Sequence, residues 1–552
     1  MRGILFIAAL VCLFSIGHTA VIFVPDDQPT IQDAINAAAP GDTVIVRPGT
    51  YPENIDFLGK AIRVQSETTA EVTIIDGGTP VNPDLGSVVI FKNGEGSDSI
   101  LVGFTITNGS GTLNSAMTHH DGGGISCWNS SSPKIRGNII INNTIDGGGG
   151  GISCRGNSSP AIRGNIITGN TTGSSDYGGG IMCEDGSPTI SNNVISGNTC
   201  GSGAGVFCRH GLPVITGNII EQNTATSYGG GINMMGTTGT LSRNFIELNT
   251  SEWGGGGVWC SVSDASAFFG NVITGNMVTN TSNLGGGGIG AFMSWPAMAC
   301  NVISGNSARV GGGICLTNNG ATSIVTNNSV LANSADQGGG IYIYSSSAVI
   351  TNTIVWDNAA PSGPAIYLSG SNPTISYCDV QGGWSGTGNI DSDPMFVNNT
   401  NGDFHLKFGS PCNDGGTNSA TGLPSDDFEG DSRIAGGIVD IGADEFHLHL
   451  YCTSVVVPGG SVDVTVIGAP GTSPLKLGLG SGVQDPPQST PFGDLWLRFP
   501  IRFRLTMPVI DNDGLSVVSG IIPLNWNPGD QRAFQALAGG NELTNLMLLT
   551  VE

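Results

Sequence analysis

Arg155, Glu184 and Arg209 stand at matching places in three successive copies of one sequence phrase, with Asp185 and His210 beside the last two. Stacked copies would align them as a cation–anion–cation column. In a cleft, an Arg or His of such a column could act as base, and the carboxylates as acids or Ca²⁺ ligands. The plainer reading is a solvated row of salt bridges, each exposed pair worth at most about 1 kcal/mol. A second set is aromatic: Phe207, Trp259, Tyr342, Tyr344 and Tyr367 fall in two adjacent outward rows. Exposed rings in file would suit stacking against sugar rings. A third set, His119-His120-Asp121, Asp146 and Asp176-Tyr177, precedes consecutive glycine clusters. Asp121, Asp146 and Asp176 could hold Ca²⁺ or be ordinary polar turn residues.

What must position these residues is a repeat. A glycine cluster, Ile or Val, any residue and Cys are followed by a turn and then Gly-Asn-x-Ile-x-x-Asn. The glycine-led half recurs from Gly124-Ile125-Ser126-Cys127 to Ala365-Ile366. The asparagine-led half closes at Asn143, Asn170, Asn198, Asn223, Asn249, Asn276, Asn306, Asn333 and Asn358, at spacings of 25 to 30 residues. Each copy holds runs of three to five residues with in–out alternation and no helical apolar period. Short strands repeating every ~26 residues make a coil of three parallel sheets, and coils stack at about 4.8 Å. The expected fold is therefore all-β, a right-handed parallel β-helix solenoid of about ten coils with an N-terminal helical cap, followed by a small antiparallel β-domain.

Within that coil the glycines are expected at a bend of positive φ where side chains would clash between coils. The asparagines are expected at another corner, tolerating the left-handed region and stacking as an amide ladder. Ile125 and Cys127 point inward, so Cys127, Cys154, Cys183, Cys208, Met234 and Cys260 form a core file. Ser126 and Trp128 point outward. Cys200, Cys300, Cys378, Cys412 and Cys452 lie elsewhere, where export would permit pairing.

The 552 residues include 88 Gly, and a net charge of −24 excludes nucleic acid as a partner, since no Lys/Arg run offsets it. The same charge repels polyuronates unless a cation bridges the two. Residues 1–20 read as a signal peptide: Met1-Arg2, an apolar stretch from Ile4 to Ile16, then Gly17-His18-Thr19-Ala20. No other stretch could cross a membrane, so the expected location is extracellular or at the cell surface. Residues 21–108 hold the cap and first coils. Ile31, Ala34, Ile35 and Ala38 share one helical face after Pro29, and strands are expected at 43–47, 61–65, 72–75, 88–92 and 100–107. Regular coils run through 109–385, a closing segment through 386–446, and a sandwich-like β-domain through 447–552.

Thr30-Ile31-Gln32-x-Ala34-Ile35 followed by Gly41-Asp42-Thr43-Val44-Ile45-Val46-x-Pro48-Gly49-Thr50-Tyr51 resembles the opening of pectin-lyase-like β-helix proteins. The Gly-Gly-Gly-Ile and Ile-x-x-Asn alternation is similar to the repeats of chlamydial polymorphic outer-membrane proteins. Asp393-Pro394-x-Phe396, Gly402-Asp403-Phe404-His405-Leu406, Gly409-Ser410-Pro411 and Asp440-Ile441-Gly442-Ala443-Asp444-Glu445 resemble the choice-of-anchor Q segment of bacterial surface β-helix proteins. These resemblances imply export, and a substrate cleft on the glycine-led sheet. No Arg-Pro-Asp-His, Asn-Thr-Asp or Gly-His-Gly pattern of pectate lyases or polygalacturonases is present. The expected function is an exported surface protein binding polysaccharide or another cell surface without catalysis. A polysaccharide lyase or hydrolase, and a structural rod presenting the C-terminal domain, are the alternatives.

Overall fold

The structure is a computed structural model that describes residues 19–446, apart from 115–118, 264–265, 281–284, 400–401, 408 and 436, and the backbone of strands between His449 and Val551. The signal peptide expected at 1–20 lies almost wholly outside the described residues. Among the described residues no helix is long and apolar enough to cross a membrane. The chain forms two compact units, one ending at Gly201 and the other starting at Ser202.

The first unit opens with strand Val21–Val24 and the helix Ile31–Ala37, whose buried face is Ile31, Ala34 and Ile35. Thr30 caps it by accepting from the Asp33 amide, and the Glu53 carboxylate accepts from the amides of Ile31 and Gln32 at 2.9 Å. These bonds satisfy donors that a helix start leaves open. Five coils follow among the described residues, and the sheet that carries the glycine-led strands takes from them Ile55–Asp56, Val89–Phe91, Ile125–Cys127, Ile152–Cys154 and Ile181–Glu184. Register aligns Cys127 with Cys154 and Cys154 with Cys183, all buried. The expected strand 100–107 is two strands, Ile100–Val102 and Thr105–Thr107, because Gly103 turns the corner at φ 82°. An antiparallel insertion, Gly111–Asn114 with His119–Asp121, interrupts the coils.

The second unit has seven glycine-led strands, from Val206–Arg209 to Ile366–Ser369. Among the described residues this sheet has twelve strands, beyond the about ten coils expected, because the coils at Ile55 and Val89 lack the glycine cluster that marks the repeat. After the last coil, residues 393–446 run back as a strap along the second unit. Leu406, Cys412 and Ile441 pack on Leu331 and Ile354, and the Gly442 amide donates to the Asn352 carbonyl. Beyond the strap the backbone forms mainly antiparallel strands, such as Ser461–Ile467 against Leu515–Ile521.

Asparagine positions differ from expectation in two ways. The left-handed residue is the one before the ladder asparagine: Asn142, Gln222, Leu248, Ala332 and Asp357 at φ 52–56°, with Gly169, Gly197, Gly275 and Gly305 elsewhere. A second ladder also runs through Asn138, Asn165 and Asn193 in the first unit and Asn218, Asn244, Asn271, Asn301 and Asn328 in the second. Each buried amide both donates and accepts. Asn276 Oδ1 accepts from the backbone and side-chain amides of Asn249, while its Nδ2 donates to Asn306 Oδ1 and the Ile246 carbonyl. Asn276→Ala strands those donors in a dry corner, and a loss of about 2–4 kcal/mol is expected by urea unfolding. A loss below ~0.5 kcal/mol would show that water replaces the ladder.

The strap is rich in buried ionisable groups. His405 is nearly enclosed; burial alone would lower its pKa, but bonds to Asp403 Oδ1 at 2.6 Å and Glu429 Oε2 at 2.9 Å raise it to about 11. Burial lifts Asp444 and Glu445 above the usual carboxylate range and raises Asp379, which faces the strap's Cys412 from the last coil, to about 6. Every one of these folded pKa values lies above its unfolded value, so the folded strap holds protons that the unfolded chain has lost. Stability is therefore fully present at low pH and is lost as pH rises, from about 4 for the carboxylates and from about 6.5 for His405. The strap's urea midpoint should fall between pH 5.5 and pH 9, and His405→Gln should flatten the upper part of that fall. A midpoint that climbs with pH would contradict these environments.

Candidate binding cleft

The glycine turn decides which side chains the glycine-led sheet presents. The glycine three residues before the strand is left-handed in every regular coil, for example Gly122 at φ 64° and Gly255 at 62°. The turn curls over the start of its own strand: a Cβ on Gly255 would lie 2.5 Å from the Val258 carbonyl oxygen. The first outward residue of each strand is thereby covered. Phe207 is 1%, Trp259 3% and Tyr342 7% exposed, contrary to the open aromatic row expected. These rings stack within the protein instead, Trp259 between Tyr228 at 4.9 Å and Phe292 at 6.4 Å, and Tyr342 on Tyr367 at 5.6 Å. Of the five aromatic candidates only Tyr344 is exposed, and Tyr367 is half-buried.

The fourth strand position, or the residue just after a three-residue strand, lines the outer face of the sheet and ranges from buried to exposed. In the first unit these are Trp128, Arg155 and Glu184. Arg155 and Glu184 are paired, as the alignment predicts, but they are not solvated. Arg155 Nη1 bonds Glu184 Oε2, its Nε lies 2.8 Å from Asp121 Oδ2, and its Nη2 donates to Asp121 Oδ1 at 3.3 Å. All three side chains are mostly buried. Asp121 Oδ1 also accepts from the Gly148 amide at 3.0 Å, so the insertion, the next turn and two strands lock one ionic triad.

Around this triad is a cleft of about 240 Å³, with Ser126, Ser153, Trp128, Arg155 and Glu184 on the sheet and Thr112 and Leu113 on the insertion. Asp185 is at its rim. The indole N–H of Trp128 is buried and finds no acceptor among the described residues. Asp185 and His210 occupy left-handed corners, at φ 62° and 58°, where other coils have Asn129, Gly156 and Gly236. Arg209 and His210 belong to the second unit, Arg209 half-buried and His210 exposed.

The suggested Ca²⁺ ligands do not converge. Asp121 serves Arg155, and Asp146 Oδ1 accepts from the His120 amide and faces His120 Nδ1, both at 3.1 Å. Burial would raise the Asp146 pKa, but the bonds from His120 outweigh it and bring it below the usual value. Asp176 is pushed up by burial. Among the described residues no group of three His, Cys, Asp or Glu side chains could hold a metal. The thiols are core: Cys260, Cys300, Cys315 and Cys378 are buried, and desolvation raises Cys260 to about 11.

Sequence reasoning put Trp128 on the same outward row as Arg155, but placed Asp121 and Arg155 in separate sets. Their 34-residue separation exceeds one coil, and the turn that brings them together leaves no periodic trace. No curated protein matches the chain. The family described as right handed beta helix region matches residues 81–246 and 242–401, more than half of the 552 residues. With its parallel sheets, left-handed corners and stacked coils, the chain belongs to the right-handed β-helix family.

Proposed function

We propose that this is an exported surface protein that binds a neutral polysaccharide without cleaving it, and that the first unit's cleft receives the sugar. The observation that carries the reading is the triad itself. Arg155 is held between two carboxylates, so the triad's cation is committed to ion pairs and the triad is left net negative by one charge, with no exposed cation to attract an anionic sugar or to act as a base. Trp128 offers an aromatic face and an unpaired N–H donor beside buried serine hydroxyls, a combination suited to a sugar's C–H face and hydroxyls. The net charge of −24 favours neutral glycans over polyuronates. Export is supported by the apolar leader at residues 1–20.

The test is electrophoresis of purified residues 21–552 through gels containing neutral or uronate polysaccharides, with new reducing ends and unsaturated-uronate absorbance read in parallel. Retention by a neutral glycan, unchanged by millimolar Ca²⁺ and weakened about tenfold by Trp128→Ala, is expected. Chain cleavage abolished by Arg209→Ala would replace this reading with a lyase or hydrolase. Silence in both readouts would leave a purely structural role.

A further inference from the structure

The second unit carries a larger cleft, about 460 Å³, at the edge of the strap. One wall is the third sheet of the coil, with Phe245, Val272 and Val302 in file. The other is the strap, with Phe404, His405, Phe428 and Glu429. Farther along, the strap covers this file, and Val302 and Ile354 are fully buried. At its edge the cover stops, and Phe245 is 54% exposed.

Arg243, at the rim, is an unusual corner residue. It is left-handed at φ 52°, where the other coils of this unit have Gly217, Gly270, Cys300, Asn327, Asn352 and Tyr377. A long side chain takes that conformation at a cost, and such costs concentrate where a side chain is used. Its guanidinium packs over Phe269 at 5.6 Å and lies 3.6 Å from Asp426. The charged groups here, Arg243 and His405 against Asp403, Asp426 and Glu429, nearly balance, which disfavours a strongly anionic ligand.

We propose that this cleft is a second saccharide subsite, in which one neutral pyranose lays its C–H face on Phe245 and hydrogen-bonds its hydroxyls to Arg243 and Glu429. Exposed aromatic surface beside paired charged hydrogen-bonding groups matches an uncharged ring with polar edges better than it matches a wholly apolar partner. The proposal shares the glycan-binding reading given for the first unit but uses none of its residues.

The experiment compares full-length mature protein with Phe245→Ala, Arg243→Gln, Trp128→Ala and Trp128→Ala/Phe245→Ala. Probes are neutral gluco-, manno-, galacto- and xylo-configured hexasaccharides, read by calorimetry, with thermal melts confirming that each variant is folded. The expected result is roughly tenfold weaker binding in Phe245→Ala and Arg243→Gln, residual binding in Trp128→Ala, and none in the double variant. Complete loss in Trp128→Ala with no effect of Phe245→Ala would overturn the second subsite and leave the first. Loss in Phe245→Ala with no effect of Trp128→Ala would leave the second and overturn the first. No binding by the parent protein overturns both. A dimer in sedimentation that Phe245→Ala dissociates, without sugar binding at this cleft, would make the face a self-association surface and sink the proposal.

Discussion

Gly256→Ala breaks the stack at the coil that carries it, with an expected loss of at least about 3 kcal/mol, the upper range for forcing one extra carbon into a packed interior. A Cβ at Gly256 would stand 2.6 Å from both the Gly287 carbonyl oxygen and the Met277 amide nitrogen. Both are backbone atoms of neighbouring segments held by the ladder, so neither can rotate away as a side chain could. Relief requires coils to separate, and separation costs the hydrogen bonds between them. Two controls isolate this effect. Gly164 is left-handed at φ 64° with open space around its missing Cβ, so Gly164→Ala should cost only the conformational strain, about 1–2 kcal/mol. Gly96 is exposed, has open space and is not left-handed, so Gly96→Ala should be neutral or stabilising by up to about 1 kcal/mol. Unfolding midpoints in urea give the order, and limited proteolysis should locate new cleavage near residues 250–290 in Gly256→Ala. Equal losses at Gly164 and Gly256 would mean that backbone conformation, not coil spacing, selects these glycines.

The period of the solenoid was legible because each coil needs the same few residues at the same corners. Inward positions such as Ile125 and Cys127 followed from alternation alone. Alternation assigns a side chain to one face of a sheet, however, and is silent about what lies over that face. Trp259 was therefore misplaced on an open surface, although the glycines that bury it were in view. A Cβ on Gly254 or on Gly290 would come within 2.6 Å of its ring. An outward aromatic flanked by glycines in its own turn and in the aligned place on the next strand is thus the signal of a covered ring. The second cleft had no comparable signal. Phe245 and Phe428 meet through a strap that lies outside the repeat, and no periodicity relates them.

Arg155→Met should cost about 3–5 kcal/mol at neutral pH, because it removes the cation that bridges two mostly buried carboxylates. Asp121 and Glu184 would then repel each other across an apolar side chain. Each would hold its proton more tightly in the folded state than in the unfolded chain. Groups with raised folded pKa values contribute stability that is present at low pH and lost as pH rises, so the deficit of the variant should shrink toward pH 4 and grow toward pH 7. Asp121→Asn/Arg155→Met/Glu184→Gln removes all three charges together, and most of the lost stability should return at pH 7. The solvated column inferred from sequence spacing predicts a different result, a loss of no more than about 1 kcal/mol with little dependence on pH. Urea midpoints of the parent, the single variant and the triple variant at pH 4.5 and pH 7 separate the two. A small, pH-independent loss would return the triad to the surface and leave Arg155 open to an anionic ligand. A large loss that acid relieves would mean that Arg155 is committed to buried ion pairs, held by Asp121 on the insertion and by two successive strands of the glycine-led sheet.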